Sequence, residues 1–266
     1  MIGAREYGTS GPPVVVLHGG PGAPGSAAPL ARGLADAFRV LEPLQRASGE
    51  RPLTVARHVA DLRELLSRRG GRPALVGHSW GAMLALVYAA AYPSDVAALA
   101  LVGCGTFDRK ARDRLIATRE ERMDDALRRD LARLAEEIPD PDAMLQATAN
   151  LLLPVDSYEP LATELELDAC DARAHHETWE DMVRLQDEGV YPAAFAVIDM
   201  PVLMLHGADD PHPGPLIRAS LAPHMPRLEY RELERCGHYP WLEKAARDEF
   251  FSALRRWLGR HLGVGG

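Results

Sequence analysis

Three features of this chain, in order, are suited to covalent chemistry: a serine between glycines, an acidic pair, and a late histidine. Gly77-His78-Ser79-Trp80-Gly81 fits G-x-S-x-G, between a predicted strand at residues 74–76 and a predicted helix from residue 82. A serine on so tight a turn needs strained backbone, and the neighbouring glycines remove Cβ atoms that would hold strand and helix apart. The hydroxyl is thereby presented above a sheet, at a helix N-terminus that favours negative charge. Such a hydroxyl needs a general base, and the base needs an orienting carboxylate. Asp209 and Asp210 follow an apolar strand at residues 202–205. His238, in Cys236-Gly237-His238-Tyr239-Pro240, falls between the last predicted strand and the last predicted helix. That placement singles it out among ten histidines, because a loop leaving the final strand can bring a base to Ser79.

A second cluster, His18-Gly19-Gly20-Pro21-Gly22, follows the β-branched run at residues 14–17. Acyl transfer needs backbone N–H donors aimed at a developing oxyanion, and residues without side chains let backbone approach a substrate closely. The elements that must position these groups alternate. Strands are predicted at 14–17, 39–42, 74–76 and 96–102, with helices at 26–38, after Thr54, and at 82–92. Past Thr54, Val55, Val59, Leu62 and Leu66 form one apolar helical face under a threonine N-cap. Alternation resumes with strands at 202–205 and 228–233 and helices at 215–221 and 244–262. Between them no convincing strand appears, and Met123, Leu127, Leu131, Leu134 and Ile138 recur at helical spacing. The expected fold is α/β, a mostly parallel sheet with helices on both faces. Residues 1–106 and 199–266 form the core, and 107–198 a helical lid. Few residues precede the first strong strand, so the sheet edge is expected to be trimmed, with at most one short strand near residues 4–7.

Composition narrows the function. The 266 residues carry 30 Lys and Arg against 38 Asp and Glu, a formal charge of −8. That excludes the basic footprint of a phosphate-backbone binder. At 47% hydrophobic the chain is not disordered. The longest apolar run, residues 82–92, falls short of the roughly 20 residues that span a bilayer. The first residues lack a basic-then-apolar leader, so a cytoplasmic protein acting on a small molecule or short peptide is expected, with neither nucleic acid nor membrane as partner. Cys104, Cys170 and Cys236 form no CxxC pair, and adjacent His175 and His176 cannot share a helix face. No metal and no cofactor are expected. His212 is expected to be an unremarkable loop residue.

Together HGGPG, GHSWGA, Gly207-x-x-Asp210 and Gly237-His238-x-Pro240 resemble the α/β-hydrolase superfamily, in its proline iminopeptidase-like branch. The order Ser, Asp, His is that of the superfamily. The resemblance implies an α/β-hydrolase fold and a triad of Ser79, Asp210 and His238, with Asp210 preferred over Asp209 as the fourth residue of G-x-x-D. It implies an oxyanion hole from the N–H groups of Gly20 and Trp80, with His18 bracing the glycine loop. One departure bears on substrate. A DQRGxGxS loop in the family corresponds here to residues 44–51, which keep Gln45, Arg46 and Gly49 but lose the leading Asp and first Gly.

The inserted segment 107–198 holds 22 acidic and 11 basic residues, whereas the rest of the chain is net +3. An acidic lid would concentrate substrates bearing an amine. In iminopeptidases lid glutamates hold the substrate α-amine, and Glu177 and Glu180, beside Trp179, are the candidates here. The expected activity is serine hydrolysis of a small ester or amide through an acyl-enzyme, as an aminopeptidase of the iminopeptidase type. The alternatives are a carboxylesterase or lactonase, favoured by the altered 44–51 loop, and a hydrolase-fold ligand receptor, for which no feature of the sequence calls.

Overall fold

The computed structural model describes residues 2–263. Seven strands form one sheet: β1 (Ala4–Tyr7), β2 (Pro13–Leu17), β3 (Arg39–Pro43), β4 (Ala74–His78), β5 (Ala98–Val102), β6 (Val202–Gly207) and β7 (Leu228–Leu233), in the order β1-β3-β2-β4-β5-β6-β7. All neighbours run parallel except β1, which pairs antiparallel with β3 from Ala4 opposite Pro43 to Tyr7 opposite Val40. Among the described residues, that edge of the sheet is a single four-residue strand, as expected near residues 4–7.

The inner strands β2, β4, β5 and β6 are apolar on both faces because both are covered, as parallel sheets require, whereas the edge strands β1 and β7 carry charged residues. Val15, Leu17, Leu75, Leu99, Leu101 and Met204 enter one core, with α2 (Val55–Ser67), α3 (Trp80–Ala91) and α8 (Gly214–Leu221). The alternate residues Val14, Val16, Ala74, Val76, Ala100 and Leu205 enter the other, with α1 (Ala28–Leu34) and α9 (Arg247–Leu262). α3 is buried from Trp80 through Ala89, which explains its unbroken apolar sequence. Thr54 caps α2 as its spacing predicts, its Oγ1 accepting from the Arg57 N–H at 3.2 Å.

Between β5 and β6 lie α4 (Arg109–Arg122), α5 (Asp125–Glu137), α6 (Pro141–Leu152) and α7 (Ala172–Asp187). Each begins at an aspartate, Asp108, Asp124, Asp140 and Asp171, whose carboxylate accepts the backbone N–H three residues on. These aspartates start the helices because the first-turn amides have no intrahelical acceptor. Four acids of the segment are thereby assigned a local structural task. No described helix is long and apolar enough to cross a membrane.

Candidate active site

The loops leaving β2, β4, β6 and β7 all emerge at the carboxyl end of the sheet, the usual place for a site in such folds. Ser79 follows β4 with φ 55° and ψ −119°, left-handed backbone in a residue that has a Cβ. Its N–H donates to the Val102 carbonyl of β5 at 2.9 Å, which ties the strained turn to the sheet. The flanking glycines are obligatory on contact grounds. A Cβ on Gly77 would lie 2.2 Å from the Gly81 carbonyl oxygen, and one on Gly81 would lie 2.2 Å from that of Leu17.

Asp210, just past β6, is buried, and its Oδ2 accepts from His238 Nδ1 at 2.8 Å. Donation from Nδ1 leaves the lone pair on His238 Nε2. Burial pushes the Asp210 carboxyl up, but the imidazoles of His238, His212 and His206 outweigh it and hold the group well below the carboxylate range. Ser79 and His238 line one cavity of about 350 Å³, together with Gly20, Trp80, Trp179 and residues of α4.

Several contacts fix the histidine loop. His78 Nε2 donates to the His238 carbonyl at 2.9 Å, and the two rings lie 4.7 Å apart. The His238 N–H donates to the Asp156 carbonyl at 2.7 Å. Buried Glu243 accepts from the N–H groups of Gly237, Tyr158 and Glu159, each at 2.8 Å. Gly237 is needed for this approach, since a Cβ there would sit 2.3 Å from the Asp156 carbonyl oxygen.

Gly20 sits at φ +109° in the loop after β2. His18 braces that loop as expected: its Nδ1 donates to the Gly19 carbonyl at 2.9 Å while its Nε2 accepts from the Gln45 N–H at 3.1 Å. Burial lowers the His18 imidazole to about 4, against the pull of its bond to Gly19. Gln45 then joins the loop to the serine turn, donating to the His18 carbonyl and accepting from the Trp80 indole N–H at 2.7 Å. The retained Gln45 thus has a bracing role. Arg46 holds buried Asp61 through Nε and Nη2 at 2.6 and 2.7 Å. Trp80 opens α3, so its backbone N–H has no acceptor within the helix.

Two expectations are corrected. His212 is no unremarkable loop residue. It is buried, its Nδ1 donates to Asp210 Oδ1 at 3.0 Å, and its ring stacks on that of His238 at 4.2 Å and 13°. Burial lowers it to about 4. The signal was a second imidazole two residues beyond the aspartate, within reach of the same carboxylate. Asp210, His212 and His238 bring ligand atoms within 4.8 Å of one another. Both Nδ1 atoms donate to Asp210, however, so neither carries a free lone pair for a metal ion.

The second correction concerns the acidic segment. Trp179 reaches the cavity, but Glu177 and Glu180 do not, and among the described residues no carboxylate lines it. Glu177 instead accepts from the Leu53 N–H at 2.8 Å and from Arg173, and Glu180 lies exposed beside His176. Their neighbours fasten the segment to the core. Glu166 takes Arg32 and Asp168 takes Arg5, each through two bonds. Asp171 accepts from the Ser48 N–H at 2.6 Å, and Asp181 accepts from the Val55 N–H that opens α2 at 2.8 Å. The Asp171 N–H donates to the Gly22 carbonyl at 2.8 Å and His175 Nδ1 to that of Pro21 at 2.9 Å, so α7 also grips the glycine loop. Acids of the segment thus bind arginines and backbone amides of the core.

A family model described as the alpha/beta hydrolase family matches residues 14–253, which spans β2 to α9. The chain belongs to that alpha/beta hydrolase family. The hydrolase is similar to a proline iminopeptidase of Lactobacillus crispatus (strain ST1), 27% identical over 98% of this chain and 94% of the relative. In fold it is similar to a thermophilic esterase from Thermogutta terrifontis, with TM-score 0.66 at 21% identity over 98% of this chain and 94% of that one. A putative lipase from Acinetobacter baumannii AYE superposes with TM-score 0.67 at 23% identity, over 98% of this hydrolase and 88% of the lipase.

Proposed function

We propose that this hydrolase cleaves a small ester or amide through an acyl-enzyme on Ser79, with Asp210 and His238 completing the triad. The observation that carries the reading is the buried Asp210–His238 bond of 2.8 Å beside a serine at φ 55° in the same cavity. With Nδ1–H given to Asp210, His238 Nε2 takes the Ser79 proton as Oγ attacks the substrate carbonyl. The N–H groups of Gly20 and Trp80 receive the developing oxyanion. His238 protonates the leaving group, and water, activated by the same nitrogen, releases the acid. The scheme draws on side chains and amides alone. Residues 107–198 act as a cap over the site, and 1–106 with 199–266 form the catalytic core.

Likeness to the iminopeptidase favours a second reading, removal of an N-terminal residue. A carboxylate at the cavity would hold the α-amine such a substrate carries, and the lining supplies none. Hydrolysis with no demand for an amine is therefore preferred. A fluorophosphonate probe should label the wild type and not Ser79→Ala; labelling that persists in the variant overturns the assignment. Turnover of proline or alanine arylamides with none of short aryl esters would replace the preferred reading by the second.

A further inference from the structure

α4 contributes four side chains to the cavity, Arg112, Leu115, Ile116 and Arg119. Their spacing of three, one and three is that of one helix face, so α4 presents a stripe with a guanidinium at either end and aliphatic groups between. The two arginines are anchored from behind. Arg119 gives Nε and Nη2 to buried Asp156 at 2.8 and 2.6 Å. Arg112 gives Nη1 to Gln186 Oε1 and Nη2 to Asp187 Oδ1, the latter at 3.3 Å. A guanidinium has five N–H donors, so Arg119 Nη1 and Arg112 Nε are left without a protein partner among the described residues. Gln186 is itself held, its Nε2 donating to the Thr106 carbonyl at 3.0 Å.

The remaining charges around the cavity do not supply acceptors. Asp156 is engaged by Arg119, Asp187 lies on the outer side of Arg112, and Asp210 is enclosed by His206, His212 and His238. Burial keeps His212 neutral at pH 7. The cavity therefore offers fixed, partly desolvated N–H donors and no carboxylate. An ammonium group would find no carboxylate to accept from it there, whereas a carboxylate can accept from the free Arg119 Nη1–H and Arg112 Nε–H.

We infer that the substrate of this site carries a carboxylate, held beneath α4 by Arg112 and Arg119 while its ester or amide carbonyl meets Ser79. The inference rests on the Ser79 reading and deepens it to a substrate class: half-esters and half-amides of short dicarboxylic acids. At about 350 Å³ the cavity suits a ligand of that size.

The test has two arms. In the first, p-nitrophenyl hemiglutarate is compared with p-nitrophenyl valerate on the wild type and Arg112→Gln. Arg112 is chosen because its partners are a neutral amide and an exposed aspartate, whereas loss of Arg119 would leave Asp156 buried and unpaired. The hemiester is expected to exceed the neutral ester in kcat/KM by about tenfold or more, and the ratio to fall by a similar factor in Arg112→Gln. Equal kcat/KM for the two esters, or a ratio unmoved by Arg112→Gln, overturns the inference and leaves Ser79 hydrolysis standing. The second arm needs no turnover. Glutarate, inorganic phosphate and 1,5-diaminopentane are titrated against the intrinsic fluorescence of the four tryptophans, of which Trp80 and Trp179 line the cavity. A saturable response to glutarate that weakens in Arg112→Gln, with none to the diamine, supports the carboxylate site. No response to glutarate, a response to phosphate alone, or an equal response to the diamine refutes it, whatever the fate of the Ser79 reading.

Discussion

Lowering the pH from 7 to 5 is expected to remove a large part of the folding free energy. His18, His58 and His212 are buried, and burial holds each at about 4, against about 6.5 in an unfolded chain. The folded protein keeps them neutral while the unfolded chain takes up a proton on each. Stability from a depressed histidine is complete above about 6.5 and is lost as pH falls toward 4. The gap is worth about 3 kcal/mol per imidazole in full, of which about 2 kcal/mol has gone by pH 5. Three residues together lose about 6 kcal/mol, against a typical domain stability of about 5–15 kcal/mol. His78, pushed well below its ordinary value by burial, acts in the same direction. Asp210 adds nothing in this window, because its contribution is lost only below about pH 4. Urea unfolding followed by tryptophan fluorescence, at half-unit steps between pH 7.5 and 5, gives the slope of stability against pH. Near pH 5 that slope should correspond to about three protons or more taken up on unfolding. His58→Gln should lower the slope by about one. His58 lies outside the cavity, bonded to Thr178 Oγ1 at 2.9 Å. A flat profile from pH 7 to 5, or an unchanged slope in the variant, refutes the reasoning.

Glu243→Gln turns an NH₂ toward at least one of the three backbone donors that the carboxylate now accepts. It should lower the unfolding free energy from urea denaturation by about 3 kcal/mol and lower kcat about tenfold or more, because the tie through residue 243 between the His238 loop and residues 158–159 is weakened. Asp181→Ala leaves the opening amide of α2 without its acceptor. It should cost about 1–2 kcal/mol and speed hydrogen exchange at the Val55 amide, while kcat changes little.

The inner strands were legible because β2, β4, β5 and β6 are apolar and buried almost from end to end. Residues 228–233 were recognisable as a strand to both ends, and the tight turns after β2 and β4 announce themselves through glycines that contact alone demands. The glycine pattern also located Ser79. α4 was hard to delimit because its inner face carries two arginines where a core helix would carry leucines, so no apolar stripe marks it. The acidic surplus was visible as a number, but where carboxylates such as Asp171 and Asp181 point depends on partners more than 120 residues away, Ser48 and Val55. A charge count carries no direction: some of the segment's acids turn toward the sheet domain, some cap their own helices, and others pair with arginines of the segment. His212 was missed because its significance lies in a carboxylate shared with His238, a relation that exists only once the loops after β6 and β7 meet.

The grip of α7 and the preceding loop on the core involves different residues from those that α4 shows to the cavity. Selectivity and attachment are thus separately adjustable. Leu115 and Ile116, the latter 61% exposed at the rim, can change in size or polarity without touching the carboxylates that hold the assembly together. Arg112 and Arg119 are the exceptions, because each faces the cavity while bonded to its surroundings, Arg112 to Gln186 and Asp187 of α7 and Arg119 to buried Asp156. On the proposed reading, substrate range can drift by single steps along one helical face, and the step that alters Arg119, which would leave Asp156 buried and unpaired, must be accompanied by a second.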